Sequence, residues 1–122
     1  MPTVKARMQA KLQEDSTIDY VVTLGAPFAP TVLDAVKAAG SKAKVGTFDM
    51  SPQAIKLIQS GDLQWAVDQQ PYVEGYEAVD MLWLYLTNGD TVGGGQPVLT
   101  GPFFVTKDNA DAVAKYAKAG TR

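Results

Sequence analysis

The sequence predicts an α/β protein built on a parallel sheet with flanking helices. Short runs rich in β-branched and aromatic residues alternate with amphipathic runs of three- and four-residue spacing, three times over. Strand, helix, strand in that order implies right-handed crossovers and parallel neighbours. The 122 residues, 46% hydrophobic and 20% charged, are enough for the core of one ordinary domain.

Each element has its own signature. Val4, Met8 and Leu12 recur every four residues among Lys5, Arg7, Lys11 and Glu14, which predicts a short amphipathic helix. Ile18 to Leu24 predicts a strand, which Pro27 and Pro30 break. Thr31 to Ala39 places Val32, Leu33 and Val36 on one helical face, with Gly40 as its stop. Lys44 to Asp49 predicts the second strand. Ser51 suits an N-cap and Pro52 the first helical position, and Ala54, Ile55 and Ile58 supply a buried face before Gly61. Leu63 to Asp68 predicts the third strand.

Pro71 opens the longest helix, which Asn88-Gly89 closes. Tyr72, Tyr76, Val79, Trp83 and Leu86 share one face of it, and such a stripe reads first as packing. Gly93-Gly94-Gly95 marks a loop. Pro97 to Thr106 predicts an irregular or edge strand, because Gly101 and Pro102 interrupt it. Asp108 or Asn109 is then expected to cap a final helix that buries Ala110, Val113, Ala114 and Ala117 and stops at Gly120.

Composition excludes several chemistries. The chain has no His and no Cys, so it has no Ser-His-Asp triad, no thiolate nucleophile and no ordinary zinc site. No catalytic residue, metal or cofactor is expected. The net charge of -2 is a poor match to a nucleic-acid backbone. No apolar run approaches the ~20 residues needed to span a bilayer. The segment from Met1 to Arg7 lacks the apolar centre of a signal peptide.

Ligands of open parallel sheets bind beyond the carboxyl ends of the strands. The segments there are Gly25-Ala26-Pro27-Phe28, Asp49-Met50-Ser51 and Asp68-Gln69-Gln70-Pro71-Tyr72. They hold carboxylates, amides and aromatic rings, with no Lys or Arg and no glycine-rich phosphate loop. Such a set suits a neutral ligand with many hydroxyls and an apolar face, a sugar or polyol. Bland readings stand beside this one. Asp49 serves equally as a helix cap, Asp68 as a solvated strand end, Gln69 and Gln70 as turn residues and Phe28 as core. Asp49 and Asp68 also pose an acid and base pair for glycoside hydrolysis, although no third catalytic group accompanies them.

Three runs carry a resemblance. They are TIDYVVTLGAPFAPTVLDAVKAAG, KVGTFDMSPQAIKLIQSGDLQWAVDQQPYVEGYEAVDMLWLYLTNG and VLTGPFFVTKDNADAV. Together they resemble the C-terminal part of the type I periplasmic sugar-binding proteins of ABC transporters, the ribose-binding-like group. The resemblance implies an incomplete lobe of that fold. Residues 1–69 correspond to part of the second, C-terminal lobe. Residues 70–101 correspond to a segment of the first lobe, and 102–122 to the return. It implies that Asp49 and Gln69 bond ligand hydroxyls, with Asp68 and Gln70 flanking. Gly25 stands where the family often has Asn, which leaves a backbone contact, and Phe28 lies close enough to cover the site.

The resemblance also implies the function. The parent protein captures a sugar or polyol and presents it to an ABC permease, without catalysis. The alternative is the sugar-sensing effector domain of a lactose-repressor-like regulator. The implied location is periplasmic or extracellular, lipid-anchored in a Gram-positive host. With most of the first lobe outside this sequence, the helix over 71–86 is expected to expose its apolar face and to drive homo-oligomerisation.

Overall fold

A computed structural model describes residues 2–122. The elements follow the order α1 (Pro2–Glu14), β1 (Tyr20–Thr23), α2 (Ala29–Ala38), β2 (Lys44–Phe48), α3 (Pro52–Ser60), β3 (Trp65–Asp68), α4 (Pro71–Asn88), β4 (Phe103–Thr106) and α5 (Ala110–Ala119). Short 3-10 turns cover Ala26–Phe28 and Gly93–Gly95. The sheet has the order β1-β2-β3-β4. The first three strands are parallel, as their crossovers require.

The fourth strand departs from the parallel expectation. It pairs antiparallel with β3, Asp68 opposite Phe103 and Trp65 opposite Thr106. The chain leaves the sheet at the carboxyl end of β3 and returns to the same end, so β4 can only run back. Its edge position was expected, but its regular part is confined to Phe103–Thr106, after Pro102.

The first strand ends at Thr23, before the two prolines, as expected. Pro27 and Pro30 each occupy an early position of a helical turn, where a missing N–H leaves no bond unmade. Ser51 caps α3, its Oγ accepting from the Ala54 N–H at 3.0 Å, and Gly61 closes α3 in the left-handed conformation. Asn109 precedes α5 without a side-chain cap. Its Oδ1 accepts from the Thr106 N–H at 2.9 Å and its Nδ2 donates to the Phe104 carbonyl, so the side chain turns back onto β4. Between α1 and β1, the Thr17 hydroxyl and N–H both donate to Asp15 Oδ1, which holds that carboxyl below the usual aspartate range.

Strand register sorts the sheet into two faces. Val21, Thr23, Val45, Thr47, Ala66 and Val105 line one and are buried. They share a core with Val32, Val36, Ile55, Ile58, Val113 and Ala117 from the helices, to which each fully buried aliphatic side chain contributes roughly 2 kcal/mol. The other face carries Tyr20, Trp65 and Phe104 in a row. Tyr20 stacks on Trp65 with centroids 6.1 Å apart, and Phe104 meets Trp65 edge-on at 6.0 Å. The Trp65 ring lies across Gly46, where any Cβ would come within 2.5 Å of it. Glycine is required at that position by this close approach.

The apolar stripe of α4 is not packing within the chain. None of the helix is buried. Tyr72, Tyr76, Val79, Trp83 and Leu86 are each between 57% and 72% exposed. Amphipathic spacing identifies a face that needs a partner and is silent on whether the partner lies in the same sequence.

Candidate functional site

Three adjacent strand ends form one edge of the molecule. Parallel neighbours lie ~4.8 Å apart, and Thr23 pairs with Thr47 while Phe48 pairs with Val67. The segments after β1, β2 and β3 therefore emerge side by side. Beneath them the hydroxyls of Thr23 and Thr47 share a buried hydrogen bond of 2.6 Å. One hydroxyl donates to the other, and the second proton is left for a carbonyl, that of Gly25 at 3.3 Å from Thr23 Oγ1 or that of Phe48 at 3.0 Å from Thr47 Oγ1. This pair ties the tips of β1 and β2 together from below.

Asp49 is half-buried at the tip of β2. Its φ of 65° lies in the left-handed region, uncommon for a residue with a Cβ. The conformation is held by its N–H donating to the Val67 carbonyl at 2.9 Å. Among the described residues no donor reaches its carboxylate. The helix-cap reading does not apply, because Ser51 performs that task. Gln70 (φ 59°) is the other non-glycine residue with positive φ among the described residues. Both stand at tips of this one edge, and strain of this kind gathers at functional sites.

Gly25 is buried at the tip of β1, in extended backbone. Its carbonyl accepts from the Phe28 N–H at 3.1 Å, and the Phe28 ring lies 3.6 Å from where a Gly25 Cβ would stand. Phe28 is 40% exposed, so it caps the edge and is not a core residue. Gln69 is exposed, and its carbonyl accepts from Thr100 Oγ1 at 2.9 Å. Together with Phe48, Val67, Glu74 and residues 98–102 it lines a cavity of about 370 Å³. Thr100 Oγ1 also lies 3.2 Å from Glu74.

Asp68 has a different setting. It is fully buried, on the core face of the sheet. Oδ1 accepts from the Gln70 N–H at 2.9 Å and Oδ2 from Arg122 Nε at 2.6 Å. The solvated strand-end reading is thereby corrected, and so is the acid and base pair with Asp49. A carboxylate with both oxygens engaged and no solvent access cannot face a second one across an open cleft. Gln70 is more than a turn residue, since its side chain donates to the Thr100 carbonyl.

The fold thus brings Gly25, Phe28, Asp49 and Gln69 to one edge and turns Asp68 inward. It also brings Arg122 there, although the strand-end segments themselves hold no cation. Glu74 and Thr100 were not selected from the sequence. Glu74 sits one turn into α4, directly after the QQP segment, and that proximity was the available signal. For Thr100 and Arg122 no local pattern existed.

Residues 2–91 match the sequence profile of a family described as periplasmic binding protein domain. Among curated proteins, the chain is 34% identical over 70 residues to the xylose/arabinose-binding protein XylF of Sulfolobus acidocaldarius, which covers 57% of this chain and 17% of that protein. Among solved structures, a carbohydrate transporter from Acidothermus cellulolyticus 11B in complex with myo-inositol is 62% identical, with a TM-score of 0.93. The match covers 99% of this chain and 42% of that one. A Caulobacter myo-inositol binding protein bound to myo-inositol is 25% identical, with a TM-score of 0.76, over 97% of this chain and 40% of that one. The chain therefore spans less than half the length of these relatives.

Proposed function

The chain belongs to the periplasmic binding protein domain family, and from that premise we propose that it is the C-terminal portion of a solute-binding protein that captures a sugar or cyclic polyol for ABC-transporter uptake. The observation that carries this reading is the Asp49 carboxylate, held in a left-handed conformation at a strand tip with no donor among the described residues. An unmatched acceptor, fixed in advance, is what a polyhydroxylated ligand requires.

In this reading Asp49 accepts from two ligand hydroxyls and Gln69 adds an amide that both donates and accepts. Gly25 offers backbone only, and Phe28 covers the apolar face of the ligand ring. Asp68 supports the site from below through Gln70. The task is binding without turnover. Residues 1–69 and 102–122 form part of one lobe, and 70–101 belongs to the other. The proposed location is periplasmic or extracellular, and the proposed macromolecular partner is a permease.

The test is a chimera in which this chain replaces the matched part of the Acidothermus cellulolyticus protein. Calorimetry across pentoses, hexoses and inositols is expected to give saturable binding of myo-inositol or a close polyol. A folded chimera that binds none of the panel overturns the reading. The chain by itself is expected to bind weakly at best, since it spans 42% of that relative.

The apolar stripe of α4 carries a separate expectation. With five large side chains more than half exposed in 4-3-4-3 spacing, the isolated chain is expected to self-associate through 71–86. Light scattering after size exclusion reads the mass, and Trp83→Glu with Leu86→Lys is expected to lower it. A single 13.0 kDa species from the unaltered chain removes the proposal.

A further inference from the structure

We infer that Arg122 is a positioning residue that clamps the two passages between the sheet and the α4 excursion, and that it fixes the backbone from which Gln69 is presented. The chain leaves the sheet at Asp68 and returns at Phe103, and these two residues are paired across β3 and β4. The passages touch. A Cβ on Gly101 would lie 3.2 Å from the Asp68 carbonyl oxygen, Thr100 Oγ1 donates to the Gln69 carbonyl, and the Gln70 side chain donates to the Thr100 carbonyl.

Arg122 joins both from outside. Its Nε donates to the fully buried Asp68 carboxylate at 2.6 Å, and its guanidinium carbon stands 4.6 Å from the centre of the Phe103 ring. One side chain thus grips the outgoing passage by charge and the returning one by stacking on a ring. Nη2 is buried with no hydrogen-bond acceptor among the described residues, and the ring face of Phe103 gives the cation its remaining electrostatic partner.

The grip reaches Gln69 through Asp68. Its second oxygen accepts from the Gln70 N–H, and Gln70 holds a left-handed φ of 59°. Without Arg122 the buried carboxylate has no counter-charge and is drawn toward water. That movement weakens its bond to the Gln70 N–H. The backbone turn beside Gln69 then relaxes, and with it the direction of the Gln69 amide. The last step rests on the reading of Gln69 as a ligand contact; the clamp itself does not.

Residue-resolved amide exchange on the 122-residue chain is the test. Arg122→Met keeps the apolar stem and removes the charge. It is expected to speed exchange about tenfold at Gln70, with the β1–β2 ladder changed less than about twofold. Arg122→Lys, which restores a cation but not the planar stack, is expected to recover part of the protection. Uniform acceleration across the sheet, or none at Gln70, overturns the clamp. Should Arg122→Met fail to fold, Arg122→Lys decides alone: local acceleration at Gln70 supports the clamp and unchanged exchange overturns it. In the chimera, Arg122→Met is expected to weaken polyol binding about tenfold, and unchanged affinity overturns the link to Gln69. A chimera that binds no polyol removes the functional reading by itself, and the exchange result still decides the clamp.

Discussion

Asp49→Ala in the polyol-binding chimera is expected to weaken binding by about 3 kcal/mol, on the order of a hundredfold, because bound hydroxyls lose a charged acceptor. Asp49→Gly separates site from scaffold. Glycine takes a φ of 65° without steric cost, so that variant is expected to lose affinity equally while its Tm holds or rises. Asp49→Asn keeps one acceptor and is expected to fall between. Calorimetry and thermal melting on the three variants read both quantities. Unaltered affinity in Asp49→Ala removes this residue from the site. Parallel loss of affinity and Tm in Asp49→Gly would assign the carboxylate to the scaffold.

Gly46→Val is expected to damage the fold far more than the site. Its Cβ would meet the Trp65 ring at 2.5 Å, in the centre of the sheet, where β2 is paired on both sides. Overpacking of this sort costs about 3 kcal/mol when a neighbour is forced aside, and Tm should fall by 10 °C or more on a domain of this size. Trp65→Ala in the same chain removes the obstructing ring. The double variant is therefore expected to be less destabilised than the sum of the two single ones. Additive losses would show that Gly46 is required by something other than the ring above it.

The elements of this fold were legible because each rests on local chemistry. Ser51-Pro52 and Gly61 bound α3 in the sequence as they do in space. Asp49 and Gln69 were legible as strand-end residues, since a parallel sheet sends its carboxyl ends to one edge. What was not legible depends on residues far apart in the sequence. The burial of Asp68 follows from Arg122, 54 positions on. The antiparallel return of β4 follows from where the excursion comes back, which no window of ten residues contains. The periodicity of α4 by itself suggested packing, and its exposure was expected only from the resemblance, which puts most of the first lobe outside this sequence. Spacing reports that a face is apolar, and only the rest of the chain reports whether anything covers it.

The contact between the two passages also bears on how the chain folds. Thr100 bonds the Gln69 carbonyl and Gln70 bonds the Thr100 carbonyl, so the ends of the excursion stand at nearly the separation that closes a loop. The entropy of closing such a loop grows only with the logarithm of its length, about 0.6 kcal/mol for each doubling. The pairing of β3 with β4 is therefore almost indifferent to how much chain lies between them. The sheet can carry a short turn at that point or a much longer excursion with little change in its own stability. Length at that position is thermodynamically inexpensive, so the size and shape of the excursion are free to follow whatever surface it has to meet.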